Sequence, residues 1–528
     1  MDGIFDSISK EIKGLSSRLP KEISNVAIPE KLKNPPLWVK ISLGTTALSY
    51  AYIRYSWTAM NDWGIPILTP SLLTFGTCGH YARENGLVEL ADEELRAKNR
   101  KTVGFYRLLS PVVLSVDVDL LTPIFTTHFG SFTNRQPDIG SFGMGKEMSK
   151  MMDVLADPKI WRRVRQSVSP SFSNVQLEKM MAVTKSRLDV LVQQIKDLNG
   201  ESINPRTVSG KYTMDAFLAA AMGFQMDLAS IKDFDNSKEL KYFNEILTPG
   251  PQIFLLFIFP GLGSLLDKLD IKIYASKAIR WFTGYCKSML AADTQETEQR
   301  NFLSAFKKLR ISDEDAKDAT KGLTEDEIIS QIFVLFGAGY ETSASLLQWA
   351  IYNICKDEEL QQRLYEEVKD VPEEYENLNS KKLPLLIAVL NECLRLFSPA
   401  IFQFRYCDHD VVINGIPLTK GSNLEVPVDY LHEIEEYWGP EAREFRPDRW
   451  IENPALEKAP FFIPFGVGPR NCVGMRFAHM QSRLGLMRIL KNFKVQFPSD
   501  FVDDIKKIRT TAFLANPSKE IKVSFLPR

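Results

Sequence analysis

Helix is the element this sequence predicts most plainly, on two observations. Thr324 and Glu327 have the spacing of a capping box, and Ile328 to Ile354 behind them are apolar around most of a helical circumference, the pattern of a buried helix. A second pattern of period 3.6 runs from Met475 through Phe477, Met480, Leu484 and Met487 to Leu490. The 528 residues, 44% hydrophobic and 25% charged, are those of a well-cored globular chain with length enough for several average domains. A formal net charge of -1 gives no support for a nucleic-acid partner. Cys78, Cys286, Cys355, Cys393, Cys407 and Cys472 are scattered without a C-x-x-C pair, which argues against zinc, an iron–sulfur cluster or a disulfide framework. The five histidines, His80, His128, His409, His432 and His479, show no metal-ligand spacing and read as surface or core residues.

Taken in chain order, residues 1–34 form an N-terminal extension in which Lys and Arg alternate with Asp2, Asp6, Glu11, Glu22 and Glu30, unlike a mitochondrial presequence or a signal peptide. Residues 35–57 hold the candidate membrane anchor: Ile41 to Ile53 are uncharged between Lys40 and Arg54, with Trp38, Tyr50, Tyr52, Tyr55 and Trp57 at the ends. The uncharged core is shorter than the roughly 20 residues a span needs, so an interfacial helix is the alternative. Further on, Trp161 and Arg165 stand one helical turn apart and can aim an indole N–H and a guanidinium at one anion, or belong to a basic surface helix. The run 253–259, fenced by Pro251 and Pro260, reads equally as a bilayer-surface dip or a buried loop.

The long helix breaks its own pattern at Phe336-Gly337-Ala338-Gly339-Tyr340-Glu341-Thr342-Ser343. Each interior glycine costs roughly 1 kcal/mol relative to alanine, and an acid with two hydroxyls sits in an otherwise apolar stretch. A close-packed neighbour explains the glycines alone; a site handling water, protons or oxygen explains both. Glu392 and Arg395 can pair at i,i+3, and Phe445-Arg446-Pro447-Asp448-Arg449-Trp450 follows them. Finally, Phe465-Gly466-Val467-Gly468-Pro469-Arg470-Asn471-Cys472-Val473-Gly474 sets one cysteine in a glycine loop at the positive end of the last helix, where a thiolate is favoured. Gly468 and Gly474 leave room for a flat group, and Arg470 can reach a carboxylate at its edge. A structural cysteine in a Gly-Pro turn is the plainer reading.

The spacing F-x-x-G-x-R-x-C-x-G resembles the haem loop of the cytochrome P450 superfamily, and Ala338-Gly339-Tyr340-Glu341-Thr342 resembles its oxygen-activation motif. Glu392-x-x-Arg395, then Phe445-x-Pro447-x-Arg449, then the cysteine loop is that family's order. Together with Phe132-Thr133-Asn134-Arg135 and Ser169-Pro170-Ser171-Phe172, these stretches are most similar to the microsomal family-three members, which oxidise drugs and steroids.

The resemblance implies a mainly α fold with a small β-rich region, a triangular helical prism around a buried haem; the β-rich part would include Val411 to Ile416 around Asn414-Gly415. Residues 58–528 would be one haem-thiolate catalytic domain. Cys472 would ligate the iron of haem b, with Phe465, Gly468, Gly474 and Ala338 around it. Arg470, Trp161, Arg165 and Arg405 would face the propionates. Thr342 and Glu341 would deliver protons, and Ala338 and Gly339 would give clearance above the iron. Glu392, Arg395 and Arg449 would brace the cysteine loop, with Trp450 a tolerated replacement for phenylalanine. Ala400, Ile401, Phe402 and Phe513 would line a lipophilic pocket. The implied reaction inserts one atom of dioxygen into a lipophilic substrate. No dinucleotide fingerprint is present, so electrons from NADPH would arrive through a separate NADPH-cytochrome P450 reductase, with cytochrome b5 as a further partner. Arg162, Arg163, Lys491 and Lys494 would form the docking face. The location implied is the endoplasmic reticulum membrane, with the catalytic domain toward the cytoplasm. An isomerase or dehydratase acting on peroxides, or a non-catalytic haem sensor, is the alternative; the presence of both Glu341 and Thr342 favours the monooxygenase.

Overall fold

The computed structural model describes residues 37–77, 79, 86–135, 143–146, 148–223, 230–247, 255–256, 259, 261–273, 275–291, 302–509 and 515–528. Phe513 lies outside them. Two units are present, Met1–Ala59 and Met60–Arg528. In the first, α1 (Leu37–Ser56) is a 20-residue helix. Among the described residues no helix is long and apolar enough to cross a membrane.

The second unit is mainly helical with small sheets. Strands β1 (Thr102–Arg107) and β2 (Ser110–Ser115) form an antiparallel hairpin. Helix α2 (Pro158–Val168) starts at Asp157, whose carboxylate accepts the Lys159 N–H at 2.7 Å and the Ile160 N–H at 3.3 Å. Helices α3 (Asn174–Lys196) and α4 (Pro205–Phe217) follow. The long helix is α5 (Glu325–Cys355), with Thr324 as N-cap and both bonds of the expected capping box formed. After α6 (Pro384–Leu396) come β3 (Phe402–Tyr406), the hairpin of β4 (Val411–Ile413) and β5 (Ile416–Leu418), and β6 (Asn423–Pro427). The four-stranded sheet runs β1-β2-β6-β3, with β2 and β6 parallel and the other neighbours antiparallel. Asn414 and Gly415 turn the β4–β5 hairpin at φ 50° and 80°, the conformation that asparagine and glycine tolerate best. Helix α7 (Met475–Asn492) is the second helix read from the sequence.

Helix α4 sits in the core between α5 and α7 because glycines let it approach both. A Cβ on Gly339 would lie 2.7 Å from the Phe217 ring, and one on Gly485 would lie 2.5 Å from Tyr212. The explanation set aside in the sequence, a close-packed neighbour, therefore accounts for Gly339. The polar groups of α4 then find partners on its neighbours: Ser209 donates to Ala344 O at 3.0 Å, Thr213 to Tyr340 O at 3.1 Å and Tyr212 to Gln481 O at 2.8 Å.

Candidate active site

The cysteine loop closes through the Cys472 N–H, which donates to Phe465 O at 2.8 Å. Gly466 and Gly468 adopt φ 71° and 74°, and a Cβ on Gly468 would fall 1.8 Å from Phe125 O, so packing of protein on protein demands glycine there. Gly474 differs from the expectation. It is the N-cap of α7 at φ −87°, open to any residue, and an added Cβ would meet only ordinary contacts. Burial pushes the Cys472 thiol up, while the Gly474 and Met475 N–H groups and the Arg165 and Arg135 guanidiniums pull it down.

Cys472 borders a cavity of about 510 Å³, which makes its sulfur accessible although protein surrounds it. The cavity joins elements far apart in the chain. Trp161 and Arg165 come from α2, Phe217 from α4, Ala338, Gly339 and Thr342 from α5, Leu394 from α6, Phe402 to Arg405 from β3, Phe465, Gly466 and Arg470 to Gly474 from the loop, where Gly468 is not part of the wall, and Phe477 from α7. Among the expected substrate residues, Ala400 and Phe402 line it. Ile401 does not: it is fully buried, its carbonyl bonded to the Val428 N–H.

Four guanidiniums mark one region of the wall. Arg405 is 2% exposed, lies over the Phe125 ring at 4.6 Å and donates one bond to Phe404 O, while its Nε has no hydrogen-bond partner. Burial and then the neighbouring Arg135 and Arg470 depress its pKa strongly. Arg165 donates to Asn471 Oδ1 at 2.9 Å. Arg470 is more committed than its place in the motif suggests. Its three nitrogens donate to Thr133 O at 2.5 Å, Met152 O at 3.2 Å and Leu155 O at 2.8 Å, and it lies 4.5 Å over the Trp161 ring. Burial and Arg135 lower its pKa to about 9. It staples Thr133, Met152 and Leu155 to the cysteine loop before it serves any carboxylate. Arg135, to which no role was given, completes the set and donates to Arg470 O at 3.1 Å. It stands in a loop with no periodicity to flag it. Crowded cations with an unmet buried donor are stable only where anions join them.

Thr342 of α5 lines the cavity too, and its hydroxyl donates to Ala338 O at 2.6 Å. Glu341 is not among the lining residues; its carboxylate pairs with Arg206 of α4, which also donates to Glu341 O at 3.3 Å. Successive side chains on α5 point in different directions, so adjacency in sequence does not place the acid beside the alcohol.

Behind the loop, the fully buried Glu392 carboxylate accepts five bonds: Arg395 Nη2 at 2.7 Å and Nε at 2.9 Å, the Arg446 N–H at 2.9 Å, Arg449 Nε at 3.0 Å and Trp450 Nε1 at 2.9 Å. Trp450 is therefore more than a stand-in for phenylalanine, because its indole N–H is one of the donors. His432, which the sequence reads as a surface or core residue, is buried and links this cluster to the loop. Its Nδ1 meets Arg395 O at 3.1 Å and its Nε2 accepts the Ile463 N–H at 3.0 Å, two residues before Phe465. Burial, and then Arg395, lowers its pKa to about 3. Arg163 leaves the expected docking face: it is buried and holds Glu327 through two bonds of 2.8 and 2.6 Å.

One thiol and a group of guanidiniums on the wall of one largely apolar cavity suit a flat iron chelate with two carboxylates, and the class so defined is the haem-thiolate proteins. The family model described as Cytochrome P450 matches residues 66–525. Cytochrome P450 3A29 of Sus scrofa is 30% identical over 505 residues, 93% of this chain and 96% of that protein. Cytochrome P450 3A7 of Homo sapiens is 32% identical over 416 residues, 76% and 80% of the two chains. The chain belongs to the cytochrome P450 family. It is a cytochrome P450 monooxygenase whose cofactor is haem b, with electrons drawn from NADPH through a reductase.

Proposed function

We propose that this chain oxidises lipophilic small molecules, inserting one oxygen atom from dioxygen, and that NADPH-cytochrome P450 reductase is the separate electron donor, with cytochrome b5 as a second partner. The observation that carries this reading is the cavity itself, apolar and aromatic along Phe217, Leu335, Ala338, Ala400 and Phe402, with Cys472 and Thr342 both on its wall. Cys472 would hold the iron, and Arg135, Arg165, Arg405 and Trp161 the propionates; the partnerless Nε of Arg405 supports that assignment. The haem supplies dioxygen binding and activation, helped by electron donation from its thiolate.

The protein's part is to exclude water, position the guest and move protons. The Thr342 hydroxyl now donates to Ala338 O, so it must exchange that bond to donate into the cavity. Glu341 would replenish it only after its carboxylate leaves Arg206. Thr342→Ala is expected to raise peroxide release and lower product formed per NADPH consumed, in a reconstituted assay with reductase. Unchanged coupling would remove Thr342 from the proton route.

The membrane of the endoplasmic reticulum, with the catalytic domain toward the cytoplasm, is the location we propose. Support comes from an apolar surface within the second unit, where Leu73 is 92% exposed and Leu72, Phe75 and Leu255 are also exposed, and where the Phe75 and Phe259 rings meet at 5.8 Å. Of the basic residues proposed for reductase docking, Arg162 is exposed, Lys494 is half-buried and paired with Glu358, and Lys491 donates to Val371 O. Charge reversal at Arg162 is expected to raise the apparent KM for reductase and leave guest binding unchanged; an unaltered KM removes it from the docking face.

A further inference from the structure

The cavity wall carries cations and apolar groups, and among the described residues that line it Asp153 is the one acid. Its Oδ1 is sealed from solvent and makes no hydrogen bond of good geometry, and among the described residues the only donors that act on the carboxylate are the backbone N–H groups of Asp153 and Val154. The cations nearest to it are engaged elsewhere: Arg470 with three backbone carbonyls, and Arg135 with Arg470 O. A buried acceptor left in this state is destabilising until a donor reaches it, and a charged donor serves best.

We propose that Asp153 selects lipophilic guests bearing a protonated amine, its carboxylate holding the ammonium N–H while the apolar body fills the cavity beside Phe402 and Ala400. The inference rests on the reading of this cavity as the place where a lipophilic molecule is oxidised. Haem carboxylates on the arginines offset the positive charge of the wall, which lets a cation approach. Burial pushes the Asp153 carboxyl up, opposed first by Arg135, and an arriving cation acts in the same direction as that arginine, toward the ionised form.

The test uses the haem-loaded protein and three probes of one shape: 4-benzyl-1-propylpiperidine, a cation at neutral pH; its uncharged isostere 1-benzyl-4-propylcyclohexane; and the anion 4-benzylcyclohexanecarboxylate. Binding is measured by equilibrium dialysis beside the haem spectrum, for the wild type, Asp153→Asn and Asp153→Leu. The wild type is expected to bind the cation about tenfold or more tighter than the isostere, as a hydrogen bond to a charged group implies. Both variants are expected to lose that preference and to bind the anion better. Equal cation-to-isostere ratios in all three proteins overturn the proposal, as does a variant that changes haem retention while the ratios stand, since Asp153 would then serve the haem carboxylates. A wild type with no thiolate-type carbon monoxide spectrum overturns instead the reading of the cavity on which the proposal rests.

Discussion

Replacing Trp450 by phenylalanine isolates one of the five bonds to Glu392. The ring still packs among Trp438 and Phe462, at centroid distances of 5.7 and 4.6 Å, but the 2.9 Å bond from Nε1 to Glu392 Oε2 is lost. Hydrogen bonds to charged groups contribute about 1.5–3 kcal/mol, and the four remaining donors keep the carboxylate from being stranded. Adding about 1 kcal/mol for the smaller ring gives an expected loss of about 3 kcal/mol. Trp438→Phe is the control: its indole N–H donates at 3.2 Å to the neutral carbonyl of Leu431, so it loses a similar volume but a bond worth about 1 kcal/mol. The assay is the urea midpoint for loss of the haem-thiolate spectrum, with slopes compared so that any change in the unfolding reaction is visible. If Trp450→Phe is no more damaging than Trp438→Phe, the indole acts by bulk alone and the five-donor account of Glu392 is wrong.

Three further outcomes are expected. Gly468→Ala should abolish haem incorporation, because φ of 74° and a Cβ 1.8 Å from Phe125 O leave it no room, whereas Gly474→Ala should retain the carbon monoxide spectrum; equal behaviour of the two refutes the assignment. His432, with its pKa lowered from 6.5 to about 3, is neutral in the folded chain and binds its proton in the unfolded one. Its contribution to stability is complete above pH 6.5 and is lost as pH falls toward 3, at up to about 1.4 kcal/mol per unit. Denaturation midpoints between pH 5 and 7 should therefore show a weaker pH dependence in His432→Gln than in the wild type. Cys472→Ala should eliminate the thiolate-type spectrum while secondary structure by circular dichroism persists; survival of that spectrum would require another ligand.

Much of this protein was legible in local pattern. The capping box at Thr324, the apolar circumference of α5, the period of α7 and the Asn414-Gly415 turn are short-range signals, and each element formed where its residues indicated. The spacing around Cys472 and the pairing of Glu392 with Arg395 and Arg449 were likewise readable, since motif residues lie close together or keep a family's order. What tertiary structure alone decided is which way side chains face and what they meet. Gly339 serves the Phe217 ring, Glu341 turns to Arg206, Arg163 is buried against Glu327, and Ile401 packs away from the cavity between neighbours that line it. Arg135, Asp153 and His432 had no periodic signal because their partners lie beyond the reach of local pattern, Arg470 being 335 residues from Arg135 and Ile463 being 31 from His432. Local pattern reports the conformation of a segment and how apolar its faces are; partners for a buried charge are set by whichever distant segment folding brings within about 3 Å.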